Sequence, residues 1–166
     1  MSERAPCDQG WIPAAEYDLI QAKVPILCVD LLPLDRCTRK VGLIRRETYD
    51  GGEGWCMIGG AVRRKECLAA ALKRHVLSTL GKQVDFDLLS SEPLEIAEYL
   101  PDADPSGPHD PRKHAVALTY AGHLVGEPHT RDEAIEFRWF DRAELGEVAF
   151  GFGQGVVVRA VLGKLG

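Results

Sequence analysis

A chain of mixed α and β structure, an α/β (α+β) fold, is what this sequence predicts. Three observations predict it. The stretch Trp55–Gly81, WCMIGGAVRRKECLAAALKRHVLSTLG, reads as an apolar strand, a Gly-Gly turn, a basic loop and a helix. Val24–Leu32, VPILCVDLL, is a nearly continuous apolar run of the kind that suits a central strand covered on both faces. Alternating segments follow at 83–88 and 134–140, and further strands are expected at 94–100 and 114–125.

The elements follow in order. Pro13 to Ala22 predicts a short helix with Pro13 near its first turn. The strand at 24–32 carries Asp30 inside it, and an acid in a buried strand needs a partner or a function. Asp30 reads either as a strand-end residue paired with an arginine or as a functional carboxylate. Lys40–Arg46 predicts a second strand, and Tyr49-Asp50-Gly51-Gly52 a turn. In the helix, Leu68, Leu72, Val76 and Leu80 with Ala69 beside them form one apolar stripe, and Gly81 stands where a left-handed glycine ends a helix.

The stretch 101–111, PDADPSGPHDP, is a long loop in which Asp102, Asp104 and Asp110 read as a solvated acidic run or as a source of carboxylates. The strand expected at 114–125 has a weak point at Gly122. Asp141–Leu145 predicts a short helix. Gly151-Phe152-Gly153-Gln154-Gly155 predicts a flexible lead into a final helix at 156–165. Neither repeats nor a linker divide the chain, so 1–166 is expected as one domain with its core at about 17–145.

The chain has 166 residues and a formal net charge of −5, the profile of a globular protein with no nucleic-acid surface. No apolar run approaches the ~18 residues of a membrane span, and Met1–Pro6 lacks a signal peptide's apolar core. The five cysteines have no zinc-like spacing, which predicts a reducing, cytoplasmic setting. Against the acidic whole, Arg63, Arg64, Lys65, Lys73, Arg74 and Lys82 form a basic island. Either a solvated loop or an anion near the helix start accounts for it.

The residues Gly60, Glu66, Arg74, Val76 and Gly81 resemble the NUDIX hydrolase box, G-x5-E-x7-R-E-U-x-E-E-x-G-U, with U a bulky apolar residue. The box is degenerate: His75, Ser78 and Thr79 occupy its three glutamate positions after the arginine, and Lys82 its final apolar one. The resemblance implies the NUDIX fold, a mixed β-sheet sandwiched between helices, with Glu66 and Arg74 as a shape-holding ion pair beside Gly60 and Gly81. It covers about Tyr17 to Leu145. The VPILCVD and VGLIRR strands, Trp55 and the box look most similar to the GDP-mannose mannosyl hydrolase branch. Asp30 and Arg46 align with residues that branch uses near its nucleotide sugar, whereas Ala61 and Thr79 replace an arginine and a metal-binding glutamate.

What the resemblance implies about function takes two forms. In one, the chain is a hydrolase acting on a nucleoside diphosphate linked to another moiety, a nucleotide sugar, at a weakened or altered metal site. Arg46, Arg63 and Arg64 would bind the diphosphate, and Asp30, His75 and Glu133 are the candidates for acid–base chemistry. Gly60 and Glu133 would offer oxygens to Mg2+ or Mn2+. In the other, it is an inactive module that binds such a ligand. His75 reads as a general base or as a solvated helix residue. NUDIX domains often pair, so a homodimer is expected by analogy.

Overall fold

The computed structural model describes residues 11–166, so Met1–Pro6 and Cys7 lie outside the described residues. The elements in order are α1 (Ala14–Gln21), β1 (Ile26–Leu34), β2 (Val41–Glu47), β3 (Glu53–Cys56), β4 (Ile58–Ala61), α2 (Leu68–Leu80), β5 (Asp85–Leu88), β6 (Glu95–Tyr99), β7 (Ala115–Val125), β8 (Glu136–Phe140) and α3 (Gln154–Leu165). The eight strands among the described residues form one sheet with the path β3-β2-β1-β7-β5. Off that path, β4 pairs with β1, β6 with β7 and β8 with β2. The sheet is mixed because β1 and β7 run parallel over the full ladder from Ile26↔Ala115 to Leu34↔His123, while the other pairings are antiparallel. It lies sandwiched between helices.

Continuous apolarity puts β1 at the centre, where Val29, Leu31 and Leu32 are wholly buried. Pro33, which cannot donate to a ladder, falls in the gap between the residues of β1 that pair with β4 (Cys28–Leu31) and the one that pairs with β2 (Leu34).

Helix α2 buries Ala71, Leu72, Val76, Thr79 and Leu80. The expected stripe therefore shifts: Ala69 is exposed and Ala71 takes its place, because i, i+3 and i+4 from Leu68 share a face and i+1 does not. Gly81 ends the helix at φ 95° and ψ 160°, a positive φ that favours glycine but not the left-handed helical conformation expected of it.

The Gly-Gly turn is a further correction. Gly59 and Gly60 lie within β4, opposite Asp30 and Val29. A Cβ on Gly59 would come within 2.8 Å of Asp30 Cα and collide with Val29 O, so a bare backbone is what lets β4 lie against β1.

The lead at 151–155 is ordered too: a 3-10 turn at Gly151–Gly153 runs into α3, with Phe152 buried at φ 55° and ψ 20°. The helix expected at Asp141–Leu145 is a 3-10 turn over Arg142–Gly146, with the Asp141 amide donating to Glu144 Oε2 at 2.7 Å.

Candidate functional site

A cavity of about 80 Å³ opens where the middle of β1, the Gly59-Gly60 backbone, the end of β6, the loop before β7 and the start of α3 converge. That is below the 300–1,000 Å³ typical of clefts that enclose a whole small-molecule ligand, so a larger ligand would extend out of the mouth.

Alternation along β1 sends Val29 and Leu31 to one face of the sheet and Cys28 and Asp30 to the cavity face. Asp30 sits in mid-strand, between Thr119 of β7 and Gly59 of β4, not at a strand end. Burial pushes its carboxyl up to about 7; Arg46 opposes the rise, Glu133 adds to it and Lys113 again opposes it.

Arg46 projects from β2 and meets Glu133 at 2.6 Å. Its Nε is buried without a hydrogen-bond partner among the described residues. Glu133 also sits above the usual carboxylate range, raised by burial against the pull of Arg46. Its loop is fixed on both sides, because the Arg131 amide donates to Thr79 O at 2.8 Å and the Ile135 amide to Arg45 O at 2.8 Å.

The loop before β7 supplies residues that the sequence reading did not single out, Arg112 and Lys113. Arg112 grips Asp110 with Nε and Nη2, both at 2.9 Å. Burial opposes ionisation of Asp110, yet hydrogen bonds from the Arg112 side chain and backbone hold its carboxyl below the ordinary range. Asp102 and Asp104 are exposed, and Asp104 instead accepts the Ser106 amide at 2.9 Å.

The guanidiniums of Arg46 and Arg112 both lie against the Phe152 ring, 5.5 and 5.1 Å from its centre. His109, which had no assignable role in the sequence, fixes this arrangement. Its Nδ1–H donates to Gly107 O at 2.8 Å, its Nε2 shares a hydrogen bond with the Tyr49 hydroxyl at 2.8 Å and its amide donates to Phe152 O at 3.1 Å. The Gly107 carbonyl can only accept, which places a proton on Nδ1. Such a network over-determines the left-handed Phe152, a conformation that costs a residue with a Cβ of order 1–3 kcal/mol.

Among the residues expected from the sequence, Asp30, Arg46 and Glu133 are brought together. The others are not. Arg63 lies over the Trp11 ring at 5.0 Å, its amide donates to Glu66 Oε2 at 2.9 Å, and neither Arg63 nor Arg64 lines the cavity. Glu66 and Arg74 form the expected ion pair, at 2.7 Å. His75 packs beneath Gly60, and its Nε2–H donates to Ala61 O at 3.1 Å. Burial, then the Arg74 charge, lowers its basicity.

These side chains do not fit a divalent metal. On α2 the three box positions offer an imidazole committed to Ala61 O, a Ser78 hydroxyl that donates to His75 O at 3.1 Å, and a buried Thr79. Such a set is a poor match for an ion that takes several anionic oxygens. Glu133 is held by a guanidinium, so a dication beside Gly60 and Glu133 would have to displace Arg46 or sit against it. Among the described residues no group of three or more His, Cys, Asp or Glu could hold a metal ion.

A family model described as Domain of unknown function (DUF4916) matches residues 7–166. No curated protein matches the chain. Among solved structures, the chain resembles a possible asymmetric diadenosine tetraphosphate hydrolase from Jonesia denitrificans, at 26% identity and TM-score 0.71, covering 85% of this chain and 94% of that one. It also resembles a MutT protein from Methanosarcina mazei, at 17% identity and TM-score 0.64, covering 86% and 97%. A third is the NUDIX domain of Shewanella oneidensis NrtR complexed with ADP-ribose, at 16% identity and TM-score 0.64, covering 93% and 100%. The fold is therefore that of NUDIX and MutT proteins.

Proposed function

The chain belongs to the DUF4916 family, and on that premise and its NUDIX fold we propose that it is a NUDIX-type hydrolase of a nucleoside diphosphate linked to another group, a nucleotide sugar in particular. One observation carries this reading: a carboxyl, Asp30, buried in the cavity wall under the charges of the Arg46–Glu133 ion pair, with its proton equilibrium moved to about 7. A group poised near neutrality both takes a proton from water and returns it.

In this reading Asp30 is the acid–base residue and Arg46 holds the ligand's anionic group. Glu133 orients Arg46 through their 2.6 Å ion pair. His75 is the weaker candidate, since one ring nitrogen is committed to Ala61 O and burial lowers its basicity. A cytoplasmic setting and a homodimer belong to the same proposal; no helix among the described residues is long and apolar enough to cross a membrane.

The test is product release from ADP-ribose and a panel of nucleotide sugars, with wild type and Asp30→Asn. The expected outcome is turnover that rises with pH through about 7 and falls about 10²–10⁴-fold in the variant. Equal rates in the two proteins would remove Asp30 from the chemistry.

The donor set of α2 favours a second reading, a module that binds the same ligand without cleaving it. Saturable binding with no product from any panel member would select it.

A further inference from the structure

Building on the reading of this cavity as a diphosphate site, we infer that the ligand's negative charge is met by a fixed set of side-chain cations, Arg46, Arg112 and Lys113, in place of a divalent metal. The three line one cavity, although they come from β2 and from the loop before β7. A NUDIX fold without its box carboxylates still has to neutralise a diphosphate if it is to bind one. Guanidinium forks match phosphate oxygens in a way that a hydroxyl and an imidazole do not.

The geometry favours anion capture in three respects. Phe152 is a common backing for both guanidiniums, at 5.5 and 5.1 Å, so their separation is set by a ring that is itself buried. Each arginine is oriented by one carboxylate, Glu133 at 2.6 Å and Asp110 at 2.9 Å. That leaves donors over: Arg46 Nε is buried and unpaired among the described residues, which costs free energy until an acceptor reaches it. Finally, three cations meet three carboxyls, Asp110 and Asp30 on the cavity wall and Glu133 beside Arg46, and Asp30, at about 7, is partly protonated at neutral pH, which leaves the site a net positive charge.

A metal would do the same work only by displacing this arrangement. Of the acids at or beside the cavity, Asp110 and Glu133 are both held by guanidiniums, which leaves Asp30 as a single carboxyl. An added dication would compete with Arg46 and Arg112 for the same oxygens and be repelled by both.

The experiment is calorimetric titration of ADP, and separately of inorganic pyrophosphate, into the full chain. Each is run in EDTA and in millimolar Mg2+, with Arg112→Gln and Lys113→Gln alongside wild type. Expected are ADP binding that needs no Mg2+ and is at least as tight in EDTA, because Mg2+ occupies the phosphate oxygens the cations would meet, and losses of about 10- to 100-fold in Arg112→Gln. Lys113→Gln, a partly exposed loop position, should weaken binding without changing thermal stability and so separates ligand charge from folding. ADP binding that requires Mg2+, or that is indifferent to both substitutions, overturns the cation set while leaving the diphosphate pocket standing. No binding of ADP or pyrophosphate under either condition overturns the pocket reading and the inference with it. Pyrophosphate binding as responsive to Arg112→Gln as ADP binding would assign recognition to the phosphates.

Discussion

Arg74 closes on Glu66 with two nitrogens, Nε at 2.7 Å and Nη2 at 2.8 Å, while Nη2 also reaches Ala61 O at 3.0 Å. One guanidinium thereby joins the basic loop, the middle of α2 and strand β4. The contact holds the Glu66 carboxyl down at about 2, chiefly through the hydrogen bonds from Arg74. Replacing Glu66 by Gln should cost about 2 kcal/mol, the range of a charge-assisted hydrogen bond lost from a partly buried site. Thermal unfolding checks it, with a fall of roughly 4–8 °C expected for a chain of this size. The sign with pH follows from a depressed folded value. The contribution is complete above the unfolded value of about 4.3 and is lost as pH falls toward about 2. Wild type and Glu66→Gln should therefore converge in stability between about pH 4 and 2.

Asp30 carries the opposite sign. Its folded value of about 7 lies above the unfolded one of about 3.9, so the native state holds a proton that the unfolded chain has released. Stability attributable to this group falls as pH rises from about 4 to about 7. Asp30→Asn, which has no charge to bury, should exceed wild type above pH 7 by on the order of 2–4 kcal/mol. Urea midpoints at pH 5 and pH 8 measure it. Identical pH dependence in both proteins would show that Asp30 is not held protonated.

Gly59→Ala should destabilise by about 1–3 kcal/mol, as overpacking does, because its Cβ meets the backbone of Val29 and Asp30. The expected signature is a drop in thermal midpoint together with lost ligand affinity, since the same contact forms the cavity wall. Gly146→Ala, where a Cβ meets nothing within 4 Å, is the control.

Thiol chemistry offers a check on packing. Burial pushes both Cys28 and Cys56 up to about 12, whereas Cys37 and Cys67 are exposed. Iodoacetamide at pH 8 with peptide mapping should label Cys37 and Cys67 in native protein, and Cys28 and Cys56 only after denaturant is added, because the thiolate is the reacting species.

The scaffold was legible in the sequence wherever one period or one motif decided the matter. The helix from Leu68 to Leu80 announces itself by apolar spacing, and β1 by unbroken apolarity. The Glu66–Arg74 pair was visible in the box spacing. Gly59-Gly60 misled because a glycine pair signals a turn as strongly as a close approach of two backbones, and only the neighbouring strand decides between them. The site was half legible. Asp30 stood out as a charge in an apolar run. Arg112 and Lys113, directly after the 101–111 loop, carried no local mark that they would face β1 across the sheet. His109 and Phe152 were opaque for the same reason: their partners lie far along the chain, and no local pattern encodes a bond between positions 49 and 109.

The β1–β7 ladder has a kinetic consequence. It joins Ile26 to Ala115 and continues to Leu34 and His123, so the central pair of strands links positions about 90 residues apart. Closing a loop of that length costs chain entropy before any contact rewards it, which slows assembly relative to a helical bundle of equal size. On the ribosome, β1 must wait, its apolar edge unpaired, until residues past Val125 have emerged. Refolding from denaturant should accordingly be limited by this one long-range pairing, and the nascent chain is at its most aggregation-prone just before β7 appears.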